Sequence, residues 1–241
     1  MRQAACRTRR LIEVARDGET FVRARRQWPL RAFRRTLNST GMQTIVLASS
    51  NHGKLTEMRE IFAGSGIELV AQSSLGIDDA EETATTFVEN ALLKARHAAR
   101  ASGLPALGDD SGLCVDALDG APGLYSARYA GVHGDTAANI AKLLHALADV
   151  EDARRGAHFH CSIALLRTAD DPAPLIVEGR WPGRILREQR GSNGFGYNPV
   201  FFDPLFGQTA AEMDAATKNR VSHRGQALRA LQAALAPSVP R

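Results

Sequence analysis

No stretch of this sequence approaches the roughly 18 to 20 consecutive apolar residues that a membrane-spanning helix requires. Cysteine is scarce: Cys6, Cys114 and Cys161 are odd in number, far apart and without C-x-x-C spacing. That excludes a disulfide framework and a thiolate zinc site, and leads us to expect a reducing, cytoplasmic setting. Internal repeats, heptads and low-complexity linkers are absent as well. Lysine is missing from residues 1–41, which carry 11 Arg against only Glu13, Asp17 and Glu19. This segment holds a net charge of +8 in a chain whose total is +4, so the remainder is mildly acidic at −4. A body without cationic surplus is not expected to bind nucleic acid through counterion release. Residues 1–41 also lack the uninterrupted apolar region of a secretory signal. We read them as an Arg-rich leader upstream of a native start at Met42, and residues 42–241 as one domain.

What is present is an alternation of strands and helices with enough apolar residues, 44% of the chain, for a sizeable core. Thr44 to Ser49 reads as a buried strand. Lys54 to Phe62 reads as a helix with Leu55, Met58, Ile61 and Phe62 on one face, and "IELVA" as a second strand. After an acidic loop, "SSLGIDDAEETA", Thr86 and Glu89 form a capping box for a helix from Phe87 to about Ala101. "LPALGDDSGLCVDAL" reads as strand, tight turn "DDSG", strand. Asp135 caps a helix to about Ala148. "HFHCSIALLR" and "PLIVEGRWPGRI" pair as a long antiparallel hairpin around Asp170 to Pro172. A Gly-rich loop then leads to "VFF", a short helical "AAEM" and a last helix from about Arg224 to Leu235. The expected class is a single α/β unit with a mixed sheet flanked by helices.

Several places can carry chemistry. "ASSNHGKL" delivers a strand into a polar turn that starts a helix, where free amides and the positive end of the dipole favour an anion and Lys54 adds a charge. It is not a Walker A loop, because the upstream Gly is missing and Leu55 rather than Ser or Thr follows Lys54. A capped turn and a phosphate site fit it equally well. Asp109 and Asp110 offer hard oxygen ligands suited to Mg²⁺, or a carboxylate able to deprotonate water, and Glu81 and Glu82 can complete such a site. A solvated Asx-turn is the alternative. "GSNGFGY" can bring backbone, Phe195 or Tyr197 against a flat base. Lys218, His223 and Arg224 stand at the entrance to the last helix, with Ser222 as its cap. His158 and His160 share a strand face without a third ligand and read as sheet-face histidines.

The order of these elements is more specific than any one of them. "ASSNHGKLTE", "AEETATTFVENALLKA", "GDDSGLCVDALDGAPGLYSARYAG", "GSNGFGYNPVF", "TAAEM" and "SHRGQAL" together resemble the Ham1 family of inosine triphosphatase-like pyrophosphohydrolases, over about Gln43 to Leu235. The resemblance implies an elongated mixed sheet with an active site in a cleft between two lobes. It also implies Mg²⁺-dependent hydrolysis of non-canonical purine triphosphates (dITP, ITP, XTP) to monophosphate and pyrophosphate, and a homodimer. Ser49, Ser50, Asn51, His52, Gly53 and Lys54 would then meet the substrate, chiefly its phosphates. Asp110 would be catalytic base and metal ligand, with Glu81 and Glu82 as further metal carboxylates. Ser111 would touch substrate, and Phe195, Gly196, Tyr197 and Asn198, with Lys218, His223 and Arg224, would form the base pocket. Ser126 and Arg128 match the family without an assigned role. Two departures stand out. Asn198 replaces the usual Asp of "FGYD", and Ser49-Ser50 replace Thr-Gly, which closes any backbone conformation open only to glycine. A Maf-type pyrophosphatase is a rival reading, but its "SxSPRR"-like opening is absent. A nucleotide- or RNA-binding protein using the leader is another.

Overall fold

The computed structural model describes residues 43–235, so the Arg-rich segment and Met42 lie outside the described residues. Seven strands form one sheet in the order β2-β1-β3-β4-β5-β6-β7. The strands are β1 (Gln43–Ala48), β2 (Ile67–Ala71), β3 (Ala106–Val115), β4 (Gly156–Leu166), β5 (Leu175–Ile185), β6 (Phe201–Asp203) and β7 (Gln208–Thr209). β1 pairs in parallel with β2 and β3, and all later pairings are antiparallel, giving the mixed α/β sheet that the alternation predicts.

The helices are α1 (His52–Phe62), α2 (Phe87–Ser102), α3 (Thr136–Ala146), α4 (Ala215–Val221) and α5 (His223–Leu235). Side-chain parity assigns them to faces. Ile45 and Leu47 of β1, with Leu107 of β3, pack with Leu55, Met58 and Phe62 of α1 and Leu228 and Leu231 of α5. Val46 and Ala48 pack with Ala98 and Ala99 of α2 on the opposite face. The chain therefore leaves β1 toward one face and returns to β3 from the other. In such sheets this switch point opens a crevice at the strand carboxyl ends. Close seating of the helices relies on two strand glycines: a Cβ on Gly108 would collide with the Ala91 carbonyl of α2, and one on Gly179 with the His223 carbonyl of α5. A second apolar cluster gathers Leu113 and Val115 with α3 and with Trp181, Tyr197 and Phe201. It forms the other lobe.

The structure corrects two expectations. "DDSG" is not a turn: β3 runs through it, paired with β4 from Ala106↔Leu166 to Val115↔Ala157. Gly112 serves close approach rather than turning, since a Cβ there would collide with the Gly123 carbonyl. The ladder and charge partners for both carboxylates outweigh the turn preference of the dipeptide. "AAEM" is a turn rather than a helix, because its backbone is engaged elsewhere. Ala210 N donates to Phe201 O at 2.9 Å, and Ala211 O accepts from Asn193 N at 3.0 Å. The helix comes after it: Asp214 caps α4 by accepting from Thr217 N at 2.8 Å. Ser222 caps α5 as expected, its Oγ accepting from Gly225 N at 3.1 Å. Among the described residues no helix is long and apolar enough to cross a membrane.

Candidate active site

β1 ends at Ala48, opposite Gly108, while β3 continues. Beyond that point lies a cleft of about 860 Å³ between the lobes. Every residue singled out for the site from the sequence lines it except Asp109, which is fully buried, and His52, whose side chain lies outside the described part of the structure.

One end is the start of α1. Asn51 Oδ1 accepts from Lys54 N at 3.1 Å and no acidic residue occupies the first turn, so the dipole end stays positive. Ser50 Oγ donates to Asp79, tying the acidic loop to this turn. Among the described residues Asp119 is the only non-glycine at positive φ, so Ser50 needs no conformation reserved for glycine.

Asp109 and Asp110, being neighbours in a strand, point to opposite faces. Asp109 is fully buried and bonded to Lys54, to Arg224 Nε at 3.0 Å and to Ser111 Oγ at 2.9 Å. Burial alone would raise its carboxyl, but the Arg224 and Lys54 cations outweigh burial and hold it well below the usual range. Glu57 of α1 accepts from Arg224 Nη1 at 2.6 Å and from Lys218 Nζ at 2.7 Å. It too stays ionised, its burial outweighed by those two cations.

On the other face, Asp110 Oδ1 meets Lys94 Nζ at 2.7 Å and Oδ2 accepts from Asn90 Nδ2 at 3.3 Å. Here burial prevails over the Lys94 charge and the Asp110 carboxyl is raised. Lys94 also meets Glu82 Oε1 at 2.5 Å, and Arg128 donates to Glu82 Oε2 at 3.1 Å. Asp110 and Glu82 thus share one ammonium between hard oxygen donors, a set that suits Mg²⁺. Glu81 is exposed at the rim. Among the described residues no three His, Cys, Asp or Glu side chains form a ready-made cage, but Mg²⁺ needs only one or two carboxylates beside water and phosphate. His158 lies beside Arg180, Nδ1 to Nη2 3.2 Å, and His160 beside Ser162, Nε2 to Oγ 3.0 Å, which accounts for them as sheet-face residues.

Phe195 lies beside the start of α1, where a Cβ on Gly53 would come within 2.9 Å of its ring; it is 39% exposed, and Lys218 Nζ and Arg224 Cζ stand 5.5 and 5.9 Å from its ring centroid. Gly194, at φ +80°, lets the loop pass the Asn198 amide, which a Cβ would strike. Tyr197 is buried and its hydroxyl donates to Ser126 O at 2.9 Å. His223 stacks on Phe159, with centroids 4.8 Å apart. Burial, reinforced by Arg224, keeps its ring neutral. Asn198 Nδ2 and His223 Nδ1 are buried with no hydrogen-bond partner among the described residues. Each leaves a polar demand that a ligand can meet.

Sequence reasoning missed Glu57, Asn90 and Lys94. The signal was helical spacing: Glu57 lies three residues after Lys54, and Asn90 four before Lys94, each pair on one helix face.

The arrangement has known counterparts. The Ham1 family pattern matches residues 45–234. A dITP/XTP pyrophosphatase of Xanthomonas oryzae pv. oryzae is 62% identical over 191 residues, covering 79% of this chain and 96% of that protein. One from Salmonella paratyphi A is 54% identical over 194 residues, covering 80% and 98%. The solved structure of a Ham1 protein from Coxiella burnetii superposes with a TM-score of 0.75 at 53% identity, covering 80% of this chain and 98% of that one.

Proposed function

This chain belongs to the Ham1 family, and on that premise we propose that it hydrolyses dITP, ITP and XTP to the monophosphate and pyrophosphate. The observation that carries this reading is the divergence of the two strand carboxylates. Asp109 is locked as an anion in ion pairs, while burial, prevailing over the Lys94 charge, raises the Asp110 carboxyl above its ordinary value. Environments that push neighbouring carboxyl groups apart assign their roles: Asp109 organises Lys54 and Arg224, and Asp110 is the base.

Asp110 takes a proton from water as the water oxygen bonds to the α-phosphorus and the bond to the bridging oxygen breaks. The departing pyrophosphate is received by Lys54 and the free amides at the start of α1, with Ser49 and Asn51 beside them. Asp110, Glu82 and Glu81 would hold Mg²⁺, which when bound neutralises the triphosphate. Most of the rate gain is positioning and electrostatics.

The purine lies on Phe195, near Lys218, Arg224 and the neutral His223. Asn198 Nδ2, buried and unpaired, supplies a donor for the 6-keto oxygen. Adenine presents an amino group there, which leaves that donor unmatched, and sites built on such bonds discriminate by about 10⁴ to 10⁵. An amide can donate where the carboxylate of "FGYD" cannot, so Asn198 keeps a recognition role by different chemistry. We take the active form to be a homodimer, to be checked by sedimentation. Phosphorus NMR of dITP turnover tests the chemistry: dIMP and pyrophosphate are expected, and orthophosphate with dIDP would refute it.

A further inference from the structure

The proposed reaction gives no role to Arg128, a cation lining the cleft, and its surroundings supply one. Arg128 ends a 3₁₀ turn, Gly123–Arg128, that is clamped to β3. Leu113 N donates to Ser126 Oγ at 2.9 Å, and Ser126 Oγ donates to Gly123 O at 2.6 Å. Gly112 permits the approach: a Cβ there would lie 2.8 Å from Ser126 Oγ. From across the cleft, Tyr197 donates to the Ser126 carbonyl. The guanidinium projects from this clamp, 5.3 Å from the Tyr125 ring centroid, and reaches Glu82 Oε2 at 3.1 Å.

Glu82 sits in a stretch without regular structure, residues 77–86. That stretch is tied at Asp79 by Ser50 and Gln72, and at Ala84, whose amide donates to Asn90 Oδ1 at 3.1 Å. Between those ties Glu82 is gripped by two cations from different elements, Lys94 of α2 and Arg128. A carboxylate held from one side only can swing away with its loop. Held from both, it fixes where the ammonium of Lys94 rests against Asp110.

We propose that Arg128 is a positioning residue of this site: anchored through Ser126, it fixes the Glu82 carboxylate and thereby the Lys94 ammonium shared with Asp110. The aromatic loop of Phe195 and Tyr197 is thus connected, through Ser126, to the Glu82 carboxylate. The catalytic part of this inference rests on the reading of Asp110 as base. The loop-fixing part does not.

The test compares Arg128→Gln, Glu82→Gln and the double variant by hydrogen exchange of residues 78–84 and by dITP kinetics. Arg128 is 32% exposed, so its replacement is compatible with folding, which unchanged exchange in β3 and β4 would verify. Faster exchange confined to the acidic loop is expected in Arg128→Gln. A loss of about 10- to 100-fold in kcat/KM is expected in each single variant, the scale of a misplaced catalytic group. The double variant should lose no more than the worse single one, since both remove the same contact. Unchanged loop exchange would overturn the proposal, as would losses that multiply, because Arg128 would then act on substrate independently. A wild-type protein that hydrolyses nothing would refute the functional reading alone, and the exchange result would still decide the loop's dependence on Arg128.

Discussion

Asp109 and Asp110 are chemically identical neighbours that the strand sends into different surroundings. Asp110→Asn removes the proposed base and should lower kcat by about 10² to 10⁴, the usual worth of general base catalysis. Asp116→Asn, at an exposed position just past β3, should leave kcat nearly unchanged. Comparable losses would remove Asp110 from its role. Asp109→Asn should act first on stability, because it leaves Arg224 and Lys54 facing a neutral amide in the interior. Breaking a buried pair in this way costs about 3–5 kcal/mol, measurable by denaturant unfolding. The carboxylates and Lys54 were legible in the sequence because they sit in compact motifs. Lys94 and Glu57 were not, since a charged residue on a helix face looks the same whether it faces solvent or a cleft. What distinguishes them is the opposing element, β3 for Lys94 and the α4–α5 junction for Glu57, and no local spacing reports that.

At the scale of elements, helices with explicit caps and the long hairpin were legible. The misread segments were those whose tertiary partners override local preference. "DDSG" has the composition of a turn and lies within a strand because β4 pairs through it. The hairpin end shows the opposite case, in which local chemistry suffices. Asp171 is buried between β4 and β5 and accepts from Arg167 Nε at 2.7 Å and from the amides of Arg167 and Ala173, both at 3.0 Å. Bonding to Arg167, outweighing burial, lowers its carboxyl to about 2. A carboxylate depressed in the folded state contributes stability that is full above the unfolded pKa, near 3.9, and is lost as pH falls through about 2. Asp171→Asn should therefore cost on the order of 2 kcal/mol at neutral pH. In urea titrations the difference from wild type should vanish by about pH 2, the folded-state value. Activity per folded molecule should be unaffected, because Asp171 is remote from the cleft. Gly108→Ala forces a methyl against the Ala91 carbonyl and should destabilise by about 1–3 kcal/mol, as overpacking does.

For the molecule as a whole, alternation of strands and helices made a mixed sheet legible, whereas the strand order was not. The order β2-β1-β3 depends on α1 and α2 taking opposite faces, and periodicity alone cannot say which face a helix will cover. That switch opens the cleft and brings distant segments to one place, among them the start of α1, the acidic loop, β3, the turn carrying Arg128, the loop of Phe195 to Asn198 and the α4–α5 junction. Uneven charge along the sequence also has a consequence at this scale. Recognition is assigned to side chains within the cleft, so removal of residues 1–41 should leave kcat/KM for dITP unchanged. The most direct test of the account is pyrophosphate release by the full chain and by residues 42–241 from dITP, XTP, dGTP and dATP, with and without Mg²⁺. Rapid Mg²⁺-dependent release from dITP and XTP, with little from dATP, is the predicted result. Equal release from all four, or none from any, would contradict it.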